Sequence, residues 1–170
     1  MHSSPISFFL AVVAVLLSVS KAPAADLPAP QGKPILAISG AIKLTNVGNE
    51  ALFDRAMLEA QETETIATKT PWFDGVTEFS GPRLDKLMDL VGADGQAVTA
   101  IALNNYVTTI PIEDFSKYRV ILALKPDGKY MSVREKGPLF IMYPFDSDPS
   151  LQAQTYFGRA AWQVAKLVVE

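Results

Sequence analysis

Three stretches of this chain place hydrogen-bonding or charged side chains beside turn chemistry, a pairing suited to holding a flat, polar ligand. The first is Thr68-Lys69-Thr70-Pro71-Trp72-Phe73-Asp74-Gly75. An indole next to a rigid proline and an Asp-Gly turn offers one wall of a pocket; the same Trp72 would serve equally as a core anchor at a turn. The second is Asn104-Asn105-Tyr106. Two carboxamides present donors and acceptors that match the edge of a heterocycle, or they supply the positive φ of a plain turn. The third is Met131-Ser132-Val133-Arg134-Glu135-Lys136-Gly137-Pro138-Leu139. Arg134 can grip an anion or stack on a ring and Lys136 supplies a point charge, with Glu135 between them; the alternative is a solvated charged loop. Toward the C-terminus, Tyr156, Arg159 and Trp162 are placed to complete such a pocket, although Trp162 suits a core as well.

Composition narrows the chemistry. The chain has no cysteine, and its single histidine is His2. Residues 6–19 (ISFFLAVVAVLLSV) form an apolar run of signal-peptide length, too short for a membrane span of about 20 residues. Ala22-x-Ala24 follows as a small-residue cleavage site, while the first five residues lack Lys and Arg. The expectation is a signal peptide over residues 1–24 and export to the periplasm, with an uncleaved anchor as the alternative. Without that segment neither Cys nor His remains. Cysteine nucleophiles, Ser-His triads and histidine bases are then excluded, and zinc, copper and haem sites lose their usual ligands. Carboxylate or Lys/Tyr chemistry, hard-cation binding and plain ligand binding survive.

Neither carboxylate pair, Asp146 with Asp148 or Glu62 with Glu64, sits in a context that argues for hydrolysis, and no Gly-rich phosphate loop is present. The chain after residue 24 holds 14 basic and 18 acidic residues, a net charge of −4, and its five arginines (Arg55, Arg83, Arg119, Arg134, Arg159) are scattered. That pattern argues against nucleic-acid binding.

The elements that must position these groups follow from apolar runs and breakers. Residues 25–34, with three prolines, read as an exposed lead-in, and 35–170 as one domain. Strands are expected at 35–39 (continuing through 41–45), 63–70, 76–80, 97–103, 106–110, 120–124, 139–143 and 162–169. In the last, Trp162, Val164, Lys166 and Val168 alternate. Asp54 caps a short helix to Ala60 with Ala56, Met57 and Ala60 on one face. Phe73-Asp74-Gly75 and Pro126-Asp127-Gly128 are turns. Gly81-Pro82 opens a helix to Val91 with Gly92 beyond its end; 113–118 is a helical turn and 151–158 a short helix. Eight or nine strands with two or three helices and no β-α-β alternation predict an α+β fold, mainly antiparallel.

The order Trp72…Gly75…Gly81-Pro82-x-Leu84…Leu87, Asn105-Tyr106 with Ile110-Pro111 and Asp114, Ala123-Leu124…Asp127-Gly128, Lys136-Gly137-Pro138-Leu139…Pro144 and Trp162-Gln163-Val164 resembles the molybdopterin-binding domain of sulfite oxidase-like proteins, over nearly all of residues 35–169. The resemblance implies mixed, mainly antiparallel sheets with a barrel-like part and short helices. The chain departs from the family where the metal is held. Residues 65–70 lack the metal-ligating cysteine, Phe140 stands in place of a cofactor-holding arginine, and Glu135 and Lys136 replace a histidine.

Residues 132–146 look closer to a subgroup of small exported proteins implicated in binding free pterins and in regulating inner-membrane enzymes of cyclic di-GMP turnover. That resemblance implies a non-catalytic binder of a reduced pterin, without molybdenum, signalling to the periplasmic domain of a membrane partner. On that reading Asn104, Asn105, Tyr106, Arg134, Glu135 and Lys136 are the candidates for the polar edge, and Trp72, Tyr156, Arg159 and Trp162 those for stacking or anion contact. The rivals are a molybdopterin oxidoreductase with non-cysteine ligation and a structural interaction module with a closed pocket.

Overall fold

Several strands in this protein close on a glycine or proline, at Gly40, Pro82, Pro111 and Pro126. The computed structural model describes residues 27–170; the expected signal segment lies outside the described residues. The largest sheet has the order β2 (Ala51–Phe53), β1 (Leu36–Gly40), β10 (Val164–Val169), β5 (Ala97–Ala102), β6 (Val107–Pro111). Among the described strands only β1 and β10 run parallel. A three-stranded sheet joins β3 (Thr63–Thr70), β4 (Phe73–Pro82) and β8 (Lys125–Pro126). A two-stranded sheet pairs β7 (Ile121–Ala123) with β9 (Phe140–Met142). Both of the latter strands are wholly buried, the outcome of uninterrupted apolar runs. Isolated bridges at Arg83–Ile121 and Phe140–Trp162 link segments of different sheets.

Four short helices cover the edges: α1 (Arg55–Glu59), α2 (Leu84–Val91), α3 (Glu113–Lys117) and α4 (Gln154–Arg159). The α2 stripe of Leu84, Leu87, Met88 and Val91 is buried as its spacing requires, and Gly92 ends it in the left-handed region at φ 61°. With no disulfide to help, the fold rests on its packed interior, including Phe53, Phe79, Phe115, Phe140 and Phe145.

Several boundaries differ from the sequence reading, each for a local reason. Residues 41–45 form no strand: Gly40 takes φ 89°, and the N–H groups of Lys43 and Leu44 turn to the Val91 carbonyl. Helix α1 is capped by Asp54 as expected, yet it buries Leu58 rather than Ala56, Met57 and Ala60. A single turn presents one inward position, and the larger aliphatic side chain occupies it. The β3–β4 reversal falls on Pro71-Trp72, with Thr70 opposite Phe73, so Asp74-Gly75 becomes an irregularity within β4 with Gly75 at φ 73°. Gly81-Pro82 ends β4 instead of opening α2. A Cβ on Gly81 would lie 2.0 Å from the Leu122 carbonyl, so glycine permits β4 to cross β7. In β10 a register shift between Val164 and Lys166 changes the phase, and Val164, Leu167 and Val169 face inward instead of Lys166 and Val168.

The lead-in is exposed over most of its described length but not free. Leu27 is buried, and the N–H groups of Gln31 and Gly32 donate to Oδ2 of Asp54 at 2.9 and 2.7 Å. Asp54 Oδ1 meanwhile accepts from Met57 N–H at 2.9 Å. These bonds, led by that from Met57, hold the Asp54 carboxyl below its ordinary range. The stabilisation is complete above the unfolded value of about 3.9 and is lost as pH falls through the lower folded value. Asp54→Asn therefore lowers the melting temperature at pH 7, and its gap to wild type closes below about pH 4. Thermal melts from neutral to strongly acid pH check this; a constant gap would show that ionisation of Asp54 is not what holds the lead-in.

Candidate functional site

Four segments meet at one open cavity of about 320 Å³. The β3–β4 turn supplies Trp72, the β5–β6 turn Asn104 and Tyr106, α4 Gln154 and Phe157, and the link into β10 Trp162. The volume falls in the range of about 300–1,000 Å³ usual for small-molecule sites. Trp72 stands at 85° to Phe157 and 71° to Trp162, with centroids 6.1 and 5.7 Å apart. Rings so disposed form a corner, in which a flat ligand stacks on one face while its rim meets the edge of another.

The polar lining is neutral. Asn104 Oδ1 accepts the Tyr106 N–H at 3.0 Å, which leaves its amide N–H groups for the cavity. The Gln154 carboxamide and both indole N–H groups have no partner among the described residues. They are not buried orphans either, since the one fully buried unpaired side-chain atom among those residues is Glu64 Oε2. The Tyr106 hydroxyl donates to the Gly158 carbonyl at 2.7 Å and ties the hairpin to α4. No Asp, Glu, Lys, Arg or His belongs to the lining.

Behind the pocket, α4 turns its other face to a buried charged network. Oδ2 of Asp114, on α3, accepts from Arg159 Nη1 and from the Tyr143 hydroxyl, both at 2.8 Å. Burial, reinforced by the Asp114 charge, pushes the Tyr143 phenol far above the ordinary tyrosine range, so it remains a donor. Tyr156 shares a hydroxyl–hydroxyl bond of 2.9 Å with Tyr118, and the Arg159 guanidinium lies 5.3 Å from the Tyr156 ring centre.

The residues singled out from sequence therefore separate into groups. Trp72, Asn104, Tyr106 and Trp162 converge on the cavity. Asn105 supplies the turn at φ 66° and does not line it. Tyr156 and Arg159 are one layer behind, holding α4 rather than facing a ligand. Glu135 closes a capping box: its Oε2 accepts from the Ser132 hydroxyl at 2.8 Å and from the Ser132 N–H at 3.2 Å, and these bonds lower its pKa. Lys136 takes φ 74°, with its ammonium 5.9 Å from the Trp162 ring, beside the cavity but outside its lining. Arg134 is exposed and outside the lining as well.

Gln154 and Phe157 were not foreseen. Their spacing of three residues on a short helix is the signal that could have found them.

The donor set does not fit a resident metal. Thiolate, imidazole and carboxylate are all missing from the lining, and the described residues contain no cluster of three potential ligands. Within the span where the resemblance places a metal-binding cysteine, the buried Thr68 uses its hydroxyl to accept the Asp146 N–H at 3.0 Å. Asp146 in turn accepts from Lys69 N–H at 2.7 Å, and Asp148 caps a 3-10 turn, so this carboxylate pair is structural. No helix among the described residues is long and apolar enough to cross a membrane.

No family model matches the chain, and no curated protein matches it. Among solved structures it is similar to the sulfane dehydrogenase SoxCD from Paracoccus pantotrophus, with a TM-score of 0.58 at 18% identity. The match covers 79% of this chain and 37% of that one, so the protein spans little more than a third of its neighbour's length. The likeness establishes the fold: mixed α+β, mostly antiparallel, with few short helices.

If Arg159 positions α4, Arg159→Leu leaves the Asp114 carboxylate buried with Tyr143 alone. Breaking a fully buried pair costs about 3–5 kcal/mol; Arg159 is one-fifth exposed, so a loss on the order of 2 kcal/mol is expected. Urea unfolding measures it, and a loss below about 0.5 kcal/mol would show that the pair does not anchor the helix.

Proposed function

We propose that the protein is a non-catalytic, periplasmic pterin-binding protein that reports pterin occupancy to the periplasmic domain of an inner-membrane enzyme of cyclic di-GMP turnover. One observation carries the binding part: an aromatic corner of Trp72, Phe157 and Trp162 lies beside the amide N–H groups of Asn104 and the unpaired carboxamide of Gln154. A reduced pterin is a flat heterocycle with donors and acceptors along its rim. Stacking takes its face, and amides take its edge. The compartment, the partner class and the link to cyclic di-GMP come from the family resemblance; an open pocket beside a surface hairpin is compatible with them.

The second reading is a molybdopterin-dependent oxidoreductase with non-cysteine ligation, and the fold likeness to a dehydrogenase favours it. Stoichiometric molybdenum in protein purified from its native compartment would establish that reading and sink ours.

Titration with tetrahydropterins by calorimetry or intrinsic fluorescence tests the binding directly. Saturable binding at micromolar concentration is expected. Trp72→Ala weakens it about tenfold or more through lost stacking and buried area, and Asn104→Ala about fivefold. Glu135→Gln leaves it unchanged. No binding at micromolar concentration would mean that the pocket is not a pterin site.

A further inference from the structure

We infer that the tip of the β5–β6 hairpin and the neighbouring 132–136 turn form one docking surface, whose partner is a protein segment combining apolar side chains with acidic flanks. Leu103 and Val107 are 52% and 55% exposed within five consecutive residues, and Val133 is 48% exposed. These are unusual levels for large apolar groups, and their clustering is the informative feature. Gln163 joins the two segments: its carbonyl accepts the Leu103 N–H at 2.9 Å, and its side-chain amide donates to the Val133 carbonyl at 2.7 Å. Leu103 and Val133 then share the wall of an apolar groove of about 360 Å³ that also contains Lys33.

Charge identifies the occupant. Lys33 and Arg134 have no carboxylate partner among the described residues. The adjacent acid, Glu135, keeps its charge while bonded to Ser132, and the two exposed cations outnumber it. The surface is thus a cationic, apolar patch on a chain whose net charge is negative, and acidic flanks complement it. A second copy docked through the same face would set these cations against each other. Residues 1–25 of the chain contain no Asp or Glu, so that apolar segment cannot neutralise them. A separate acidic, apolar protein segment satisfies both requirements.

The hairpin tip also divides this groove from the ligand cavity, since Asn104 and Tyr106 line the cavity while Leu103 lines the groove. This surface deepens the reading above by giving the partner a place beside the ligand, and it rests on that reading only for the identity of the cavity's ligand.

The test places p-benzoylphenylalanine at Leu103, at Val133 and, as an exposed control, at Val76 on the full chain in cells of its native host. Irradiation is followed by mass spectrometry of the adducts. Adducts with another protein at 103 and 133 but not at 76, through a peptide carrying Asp or Glu beside apolar residues, are expected. Leu103→Glu combined with the photo-residue at 133 reduces the adduct at least about tenfold and leaves the pterin titration unaltered.

Adducts between copies of this chain, equal yields at all three positions, or a basic cross-linked peptide would overturn the inference. Pterin binding without selective adducts defeats the docking surface alone. Selective adducts without pterin binding defeat the ligand reading and leave the surface standing.

Discussion

One carboxylate oxygen, Oδ2 of Asp114, fixes the wall against which the pocket is built. It receives a guanidinium from α4 and a phenol from the segment after β9. Helix α4 has six residues and no side-chain cap, well below the length at which a helix holds itself together in water. Its place is set by what it touches: Asp114 through Arg159, Tyr118 through Tyr156, and Tyr106 through the Gly158 carbonyl. The ion pair adds little net stability once desolvation is counted, because attraction and lost hydration nearly cancel. Its contribution is position: it presents Phe157 and Gln154 to the cavity at a fixed angle to Trp72.

Legibility in the sequence tracked how local the cause was. Runs such as Val120–Leu124 and Leu139–Tyr143 announced buried strands, because a strand covered on both faces needs no alternation. The Asp54 cap and the Gly92 stop were likewise written in a few adjacent residues. The irregularities in β4 and β10 were not, since an extra residue is accommodated by the partner strand and changes no composition. In β10 one such shift breaks the alternation after Val164, so that beyond it Leu167 and Val169 are the buried residues.

The site divided along the same line. Trp72, Asn104, Tyr106 and Trp162 were identifiable because aromatic and amide side chains at reversals are conspicuous. Tyr156 and Arg159 were identifiable as chemistry but not as to facing. At 3.6 residues per turn, positions 154, 157 and 158 share one side of α4 while 156 and 159 share another. Six residues are too few for a hydrophobic pattern to declare which side points inward. Glu135 misled for a different reason: a charged cluster looks the same in sequence whether it meets a ligand or caps its own backbone.

The absence of cysteine from the chain and of histidine from the described residues, with the neutrality of the lining, limits what this cavity can do more firmly than its shape does. General acid–base catalysis needs a titrating group within hydrogen-bond reach of the reacting atom. Metal chemistry needs anionic or imidazole donors. The one hydroxyl among the lining side chains, that of Tyr106, donates to a backbone carbonyl. Amides and indoles serve discrimination instead: a ligand that leaves their donors and acceptors unmatched forfeits the hydrogen bonds they make with water. Selectivity by edge pattern, on a wall pinned from behind, is what this lining offers a flat ligand.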